Sequence, residues 1–170
     1  MTELRGHGPN GWGIYTFTDR PILLAEGEEA VVKSDAPLLL RGFVDGHIHG
    51  AYGVDVMSAS PEELARLDQR LREEAGYDAW IPTTVTASCD DVRRMIDRLP
   101  ECPSIAGFHL EGPFLSPKHP GAQPAAFLAE YQGEGTPWDE VLDHPRLRIV
   151  TLAPEIPGGL ELTRRLVARG

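Results

Sequence analysis

Leu38-Leu39-Leu40-Arg41-Gly42-Phe43-Val44-Asp45-Gly46-His47-Ile48-His49-Gly50 is an apolar run that ends in two histidines bracketed by glycines. Residues 38–45 predict a strand, and the glycines let the backbone turn tightly at its end. Side chains two apart on a strand share a face, so His47 and His49 project together. Ser60-Pro61-Glu62-Glu63 then opens a helix. Ser60 suits the N-cap, Pro61 the first helical position, and Glu63 completes a capping box. Leu64, Leu67 and Leu71 form its apolar stripe and Gly76 its stop. The strand–loop–helix pattern repeats. Residues 78–87 read as a second strand and 89–99 as a helix capped by Ser88 and closed by Pro100. Residues 104–110 and 147–152 read as two more strands, and 160–168 as a last helix. Strands alternating with helices predict parallel strands joined by right-handed crossovers. The expected fold class is α/β, a partial (β/α)8 barrel of the TIM type. A full barrel takes ~250 residues, so about four β/α units fit in a chain of 170.

Residues 1–40 differ from the rest. Gly6, Gly8, Pro9, Asn10, Gly11 and Gly13 are turn-formers around short β-like runs at 13–17 and 21–25. They predict a small N-terminal β-region ahead of a barrel segment at 41–170. The 115–145 interval is long and rich in Pro and Gly, and a loop of this length predicts a function. Short helical pieces are expected in it at 125–131 and 137–142.

The net charge is −10, with 26 acidic against 16 basic residues. This argues against nucleic-acid binding and against docking on an anionic membrane. Cys89 and Cys102 are too few for a disulfide framework and read as thiols in a reducing compartment. No signal pattern opens the chain and no apolar run approaches the ~20 residues of a membrane span. A cytoplasmic location is expected. No phosphate-binding loop, dinucleotide fingerprint or nucleophile elbow is found.

Two elements carry chemistry. His47-x-His49 reads either as a metal-binding pair or as two solvated strand-end histidines, with Asp45 placed to orient one imidazole. His109-Leu110-Glu111-Gly112-Pro113-Phe114 ends a strand just before a sharp turn. There Glu111 is a ligand, a base or an acceptor that ties down the next loop. His109 shares its face one layer deeper, where a hydrogen-bonded core histidine is expected. Imidazoles and a carboxylate at strand ends are what a divalent ion needs to polarise an amide and activate a water. Thr83, Thr84 and Thr86 read as strand formers. Lys118 reads as a solvated loop residue or an anion contact, and Glu155 ends another strand.

Four segments together resemble the N-acetylglucosamine-6-phosphate deacetylase family of the amidohydrolase superfamily. They are Gly42–Gly50, Gly107–Phe114, Gly121-Ala122-Gln123 and Val150–Glu155, in the family's order. The resemblance covers roughly residues 38–157 and implies the N-terminal half of an amidohydrolase barrel. It implies a metal-dependent deacetylase that releases acetate from an amino-sugar phosphate and leaves glucosamine 6-phosphate. Glu111 is implied as a metal ligand, with His47 and His49 as a further metal position, for a divalent ion that is zinc or iron-like. Ala122 and Gln123 are implied along the substrate, Gln123 standing where the family usually has histidine. Arg41 stands where a proline is common. The family's catalytic aspartate and two more metal-binding histidines match nothing before Gly170, so no catalytic residue is assigned within this chain. The chain is expected to be a shortened form with little turnover alone, a homo-oligomer or the partner of a C-terminal half. The alternatives are a non-catalytic metal- or partner-binding half-barrel and an amidohydrolase acting on another amide.

Overall fold

The computed structural model describes residues 3–8, 11–17, 21–27, 37–39 and 42–170. The chain divides into two compact units, Met1–Phe43 and Val44–Gly170.

The first unit is a four-stranded sheet in the order β3-β2-β1-β4, built from β1 (Glu3–Gly8), β2 (Gly11–Phe17), β3 (Pro21–Glu26) and β4 (Leu38–Leu39). Strands β1 and β2 are antiparallel, with Glu3 opposite Thr16 and Gly8 opposite Gly11. Strand β3 continues the antiparallel run on β2, and β4 lies parallel to β1. This corrects the expectation of one strand over 38–45. Leu38 and Leu39 pair with Arg5 and Gly6, whereas Phe43–Ile48 forms β5 and pairs with β8 (Tyr77–Pro82). One straight strand cannot serve two sheets. Residues 40 and 41, Arg41 among them, lie outside the described residues.

The second unit mixes α and β. After β5 comes a small antiparallel hairpin of β6 (Gly50–Ala51) and β7 (Val54–Asp55). Its two central residues have positive φ, 54° at Tyr52 and 79° at Gly53, as tight hairpin turns of the primed type require. A side chain at Gly50 would meet the Val54 carbonyl oxygen at 2.0 Å, so only glycine fits beside the histidine pair. Helix α1 (Pro61–Ala75) carries the expected reciprocal capping box between Ser60 and Glu63, and Gly76 ends it in the left-handed region at φ 72°. Its buried face is Leu64, Leu67, Asp68 and Leu71. Asp68 is an acid on an apolar stripe, and it is paired. It accepts the Trp80 indole N–H at 2.8 Å and the Ser104 hydroxyl, with Arg72 at 3.5 Å. These bonds offset the desolvation of the carboxylate.

Helix α2 (Cys89–Asp97) is capped by Ser88; β9 (Phe108–Glu111), α3 (Asp139–Leu142), β10 (Leu147–Thr151) and α4 (Gly159–Arg169) complete the unit. Strand β8 is bridged in parallel to the β9 segment at Trp80–Ile105 and Thr83–His109, and β9 pairs in parallel with β10. The four strands β5, β8, β9 and β10 are therefore neighbours in chain order. Between β9 and β10 the long connection holds one 3-10 turn, Ala125–Phe127, where a longer helical piece was expected. The core is packed around Trp80, Phe108, Leu110, Phe114, Leu64 and Leu67, each at most 1% exposed. No described helix is long and apolar enough to cross a membrane.

Arg165 of α4 ties this helix to α3. It donates to Asp139, to Asp143 at 2.7 Å and to the Tyr131 hydroxyl at 2.9 Å. Its hydrogen bonds hold both carboxyls below the usual carboxylate range. Because the folded values lie below the unfolded ones, this stabilisation is present above about pH 4 and is lost as pH falls through the folded values. We predict that Arg165→Gln flattens the fall in melting temperature below about pH 4. Melting curves recorded between neutral and strongly acid pH check this; parallel curves for the two proteins would refute it.

Candidate metal centre

His47 from β5, His49 from the bend just past its end and Glu111 from β9 bring three ligand-type side chains together from either side of β8. His47 Nε2 lies 3.1 Å from His49 Nε2 and 3.2 Å from Glu111 Oε2, and His49 Nε2 lies 3.1 Å from the same oxygen. The imidazoles are open to solvent, 51% and 42% exposed, while Glu111 is 16% exposed. The group has one accessible side and one packed side.

Hydrogen bonds fix the ligand atoms. His49 Nδ1 sits 3.1 Å from the Thr83 carbonyl oxygen. A carbonyl only accepts, so Nδ1 carries the proton and Nε2 is the ring atom that faces Glu111. Glu111 Oε2 is also an acceptor. His47 Nε2, His49 Nε2 and Glu111 Oε2 thus converge on one point, each an atom type that can ligate a cation. A divalent cation accepts from all three, and two imidazoles with one carboxylate suit zinc or an iron-like ion. The donor set therefore fits a divalent ion.

Asp45 does not orient an imidazole, contrary to the reading from sequence. Its Oδ1 accepts the His47 backbone N–H at 2.9 Å and its Oδ2 the Tyr77 hydroxyl at 2.9 Å. An aspartate binding the backbone two residues on is a local turn, so it shapes the chain at His47 and leaves the ring free. Asp45 in turn pushes the Tyr77 phenol up. His109 lies beneath the group, 3% exposed, with Nε2 at 2.7 Å from Thr151 Oγ1 and Nδ1 at 3.3 Å from Thr83 Oγ1. Burial and then the neighbouring His47 lower its pKa, so it packs as a neutral core histidine.

Beyond β8 the chain holds Glu111 and the next loop. Thr84 Oγ1 accepts the Glu111 N–H at 3.0 Å, and the Thr84 N–H donates to the His109 carbonyl at 3.0 Å. The Thr86 N–H donates to Gln123 Oε1 at 2.7 Å. Gln123 thus reaches the same strand end, although neither it nor exposed Ala122 belongs to the His–His–Glu group. Strand formers by composition, the threonines prove to be the braces of the site. Their one visible signal was three threonines within four residues at a strand's polar end.

The remaining candidates lie elsewhere. Lys118 and Glu155 line a separate cavity of about 410 Å³ with Leu115, Leu128 and Ile156. His119 is exposed. His144 is half-buried against Phe108, and its Nδ1 accepts the Arg146 N–H at 3.1 Å. His7 falls in β1. Burial pushes both free cysteine thiols up, as inert thiols require.

Gly112, immediately after Glu111, has φ 71°, and a side chain there would meet Thr86 Oγ1 at 2.0 Å. We predict that Gly112→Ala destabilises the fold by about 1–3 kcal/mol through the clash and the left-handed backbone. Denaturant unfolding checks it; an unchanged midpoint would show that the turn is not needed.

Known proteins resemble this chain in sequence and in fold. No protein-family model matches the chain. The chain is 34% identical to an N-acetylgalactosamine-6-phosphate deacetylase from Escherichia coli O157:H7, over 92% of its own length and 44% of the relative's. It is 36% identical to an N-acetylglucosamine-6-phosphate deacetylase from Bacillus subtilis, over 76% of its length and 35% of the relative's. Its fold matches a Mycobacterium smegmatis N-acetyl-D-glucosamine-6-phosphate deacetylase variant in complex with N-acetyl-D-glucosamine-6-phosphate, at a TM-score of 0.72 and 27% identity, covering 99% of this chain and 48% of that one. The Pasteurella multocida N-acetylglucosamine-6-phosphate deacetylase, 17% identical, shares the fold with a TM-score of 0.73. The chain spans less than half the length of these proteins. By sequence and by fold it is a relative of the N-acetylglucosamine-6-phosphate deacetylases, an enzyme family, matched over part of their length.

Proposed function

We propose that this chain supplies the first part of a metal-dependent deacetylase that hydrolyses the acetamide of N-acetylglucosamine 6-phosphate to glucosamine 6-phosphate and acetate. The observation that carries the reading is the convergence of His47, His49 and Glu111 in a relative of enzymes named for that substrate. In this reading β5, β8, β9 and β10 are the first four strands of a (β/α)8 barrel, residues 1–40 are an appended β-region, and the ligands stand at the C-terminal ends of the strands, where barrel enzymes work. His47, His49 and Glu111 hold the ion. When bound, a zinc or iron-like ion supplies Lewis acidity that polarises the acetamide carbonyl and acidifies a water. The His49 Nδ1–H bond to Thr83 keeps the ring in the ligating tautomer. Gln123, anchored through Oε1, turns its amide N–H groups toward substrate oxygens, and Ala122 leaves room beside it. The proton transfer that expels the amine is assigned to no residue within 1–170.

Among the described residues β10 pairs only with β9. Its free edge and the α4 residues Leu166 and Val167 border an open groove of about 770 Å³. An open strand edge beside apolar side chains calls for a cover. We propose that the remaining barrel strands seat there, from a C-terminal half or in an oligomer. A non-catalytic metal-binding half-barrel is the second reading, favoured by three ligand-type side chains converging while no residue within 1–170 is assigned the proton transfer.

Two measurements test this. Elemental analysis of the purified chain should find about one divalent ion per chain, and Glu111→Gln should lower metal affinity by roughly ten- to a hundredfold; unchanged metal content in the variant would remove Glu111 from the ligand set. Acetate release from N-acetylglucosamine 6-phosphate, with the galactosamine epimer in parallel, should be metal-dependent. The 170-residue chain should run at least about a hundredfold below the Bacillus subtilis relative, the deficit expected when transition-state groups are missing. Absence of both metal and acetate release would overturn the reading. Bound metal without turnover would favour the half-barrel.

A further inference from the structure

We propose that Thr83 and Thr84, at the end of β8, are positioning residues that set the spacing between the histidine pair and Glu111. The inference rests on the metal-site reading and goes beyond it. Strand β8 lies between the two ligand-bearing strands, and each threonine grips one of them. The Thr83 N–H donates to the Ile48 carbonyl at 2.9 Å, and Thr83 Oγ1 accepts the Ile48 N–H at 3.0 Å. Ile48 is the residue between the two histidines, so both of its backbone groups are held by one residue. The Thr83 carbonyl then takes His49 Nδ1–H. On the other side, Thr84 Oγ1 accepts the Glu111 N–H at 3.0 Å and donates to the Glu111 carbonyl at 3.4 Å, gripping both backbone groups of the third ligand residue.

Both threonines are fully buried. Their hydroxyls replace the ladder bonds that parallel strands would otherwise make at this point, where regular pairing has given way to isolated bridges. A valine keeps the shape and the strand preference but has no acceptor for either N–H. A purely packing role is therefore indifferent to the exchange, whereas a positioning role is not.

The test is cobalt(II) titration of the purified chain, followed by affinity and by the visible absorption that reports ligand geometry, with melting curves of the metal-free proteins alongside. Thr84→Val should weaken cobalt binding by roughly ten- to a hundredfold and alter the absorption band, as changes behind a ligand do. Thr84→Ser, which keeps the hydroxyl, should restore both. Thr83→Val should show the same loss, with Thr83→Ser as its rescue. If Thr84→Val does not melt cooperatively, Thr84→Cys, similar in size but a weak acceptor, takes its place. Wild-type affinity and spectrum in the valine or cysteine variants would overturn the inference and leave the metal site standing. A wild-type chain that binds no cobalt would overturn the metal-site reading and the inference with it.

Discussion

The site depends on β8 lying between β5 and β9. Neighbouring strands sit about 4.8 Å apart, so the two strands that carry the ligands are about 10 Å apart at the backbone. Side chains from both must lean over the intervening strand to meet. His47, His49 and Glu111 are long enough to do so, and their atoms close to 3.1–3.2 Å. What stands beneath must then be short and hydrogen-bonding. Bulky residues at the end of β8 would block the approach, and apolar ones would strand the Ile48 and Glu111 N–H groups. Threonine satisfies both demands at 83 and 84.

The lower layer follows from the same geometry. His109 points inward beside Glu111, and its two ring nitrogens face Thr83 and Thr151. The Thr83 hydroxyl gives its proton to the Ile81 carbonyl and accepts from Nδ1, and the Thr151 hydroxyl donates to Nε2, so a buried neutral imidazole is satisfied without a charge. This layer keeps the floor of the site polar yet uncharged. The cationic character needed to hold the Glu111 carboxylate is left to whatever occupies the ligand group.

Much of this was legible in the chain. The cap at Ser60–Glu63, the stripe of Leu64, Leu67 and Leu71 and the stop at Gly76 are local signals, and α1 obeys them. The period-2 rule put His47 with His49, and the motif around Glu111 put the carboxylate at a strand end. Three things were not legible, because each depends on contacts distant in sequence. The split of 38–45 follows from β4 pairing with β1. Asp45 spends its oxygens on a backbone N–H and on Tyr77, which lies 32 positions away. Asp68 reads as an error on an apolar face until Trp80 and Ser104 arrive beside it. A pattern of residue types records which side chains share a face, but not which partner each polar atom will find.

Gln123 offers a hydrogen-bonding group of a different kind from an imidazole at the same strand end. Gln123 stands where the resemblance places a histidine, and in this chain one polar atom accepts the Thr86 N–H while another is left to donate. Imidazole meets this with an acceptor nitrogen and an N–H. The amide meets it with Oε1, already 2.7 Å from that N–H, and with its NH₂ group. The amide keeps an acceptor and a donor but not the ability to carry a proton. An anionic group bound there would be met by a neutral dipole, which lowers the attraction without changing the geometry of the contact. The exchange therefore removes a titratable ring from this strand end. It leaves the ligand group untouched, because the three ligand atoms and the threonines behind them make no use of residue 123 beyond the Thr86 N–H.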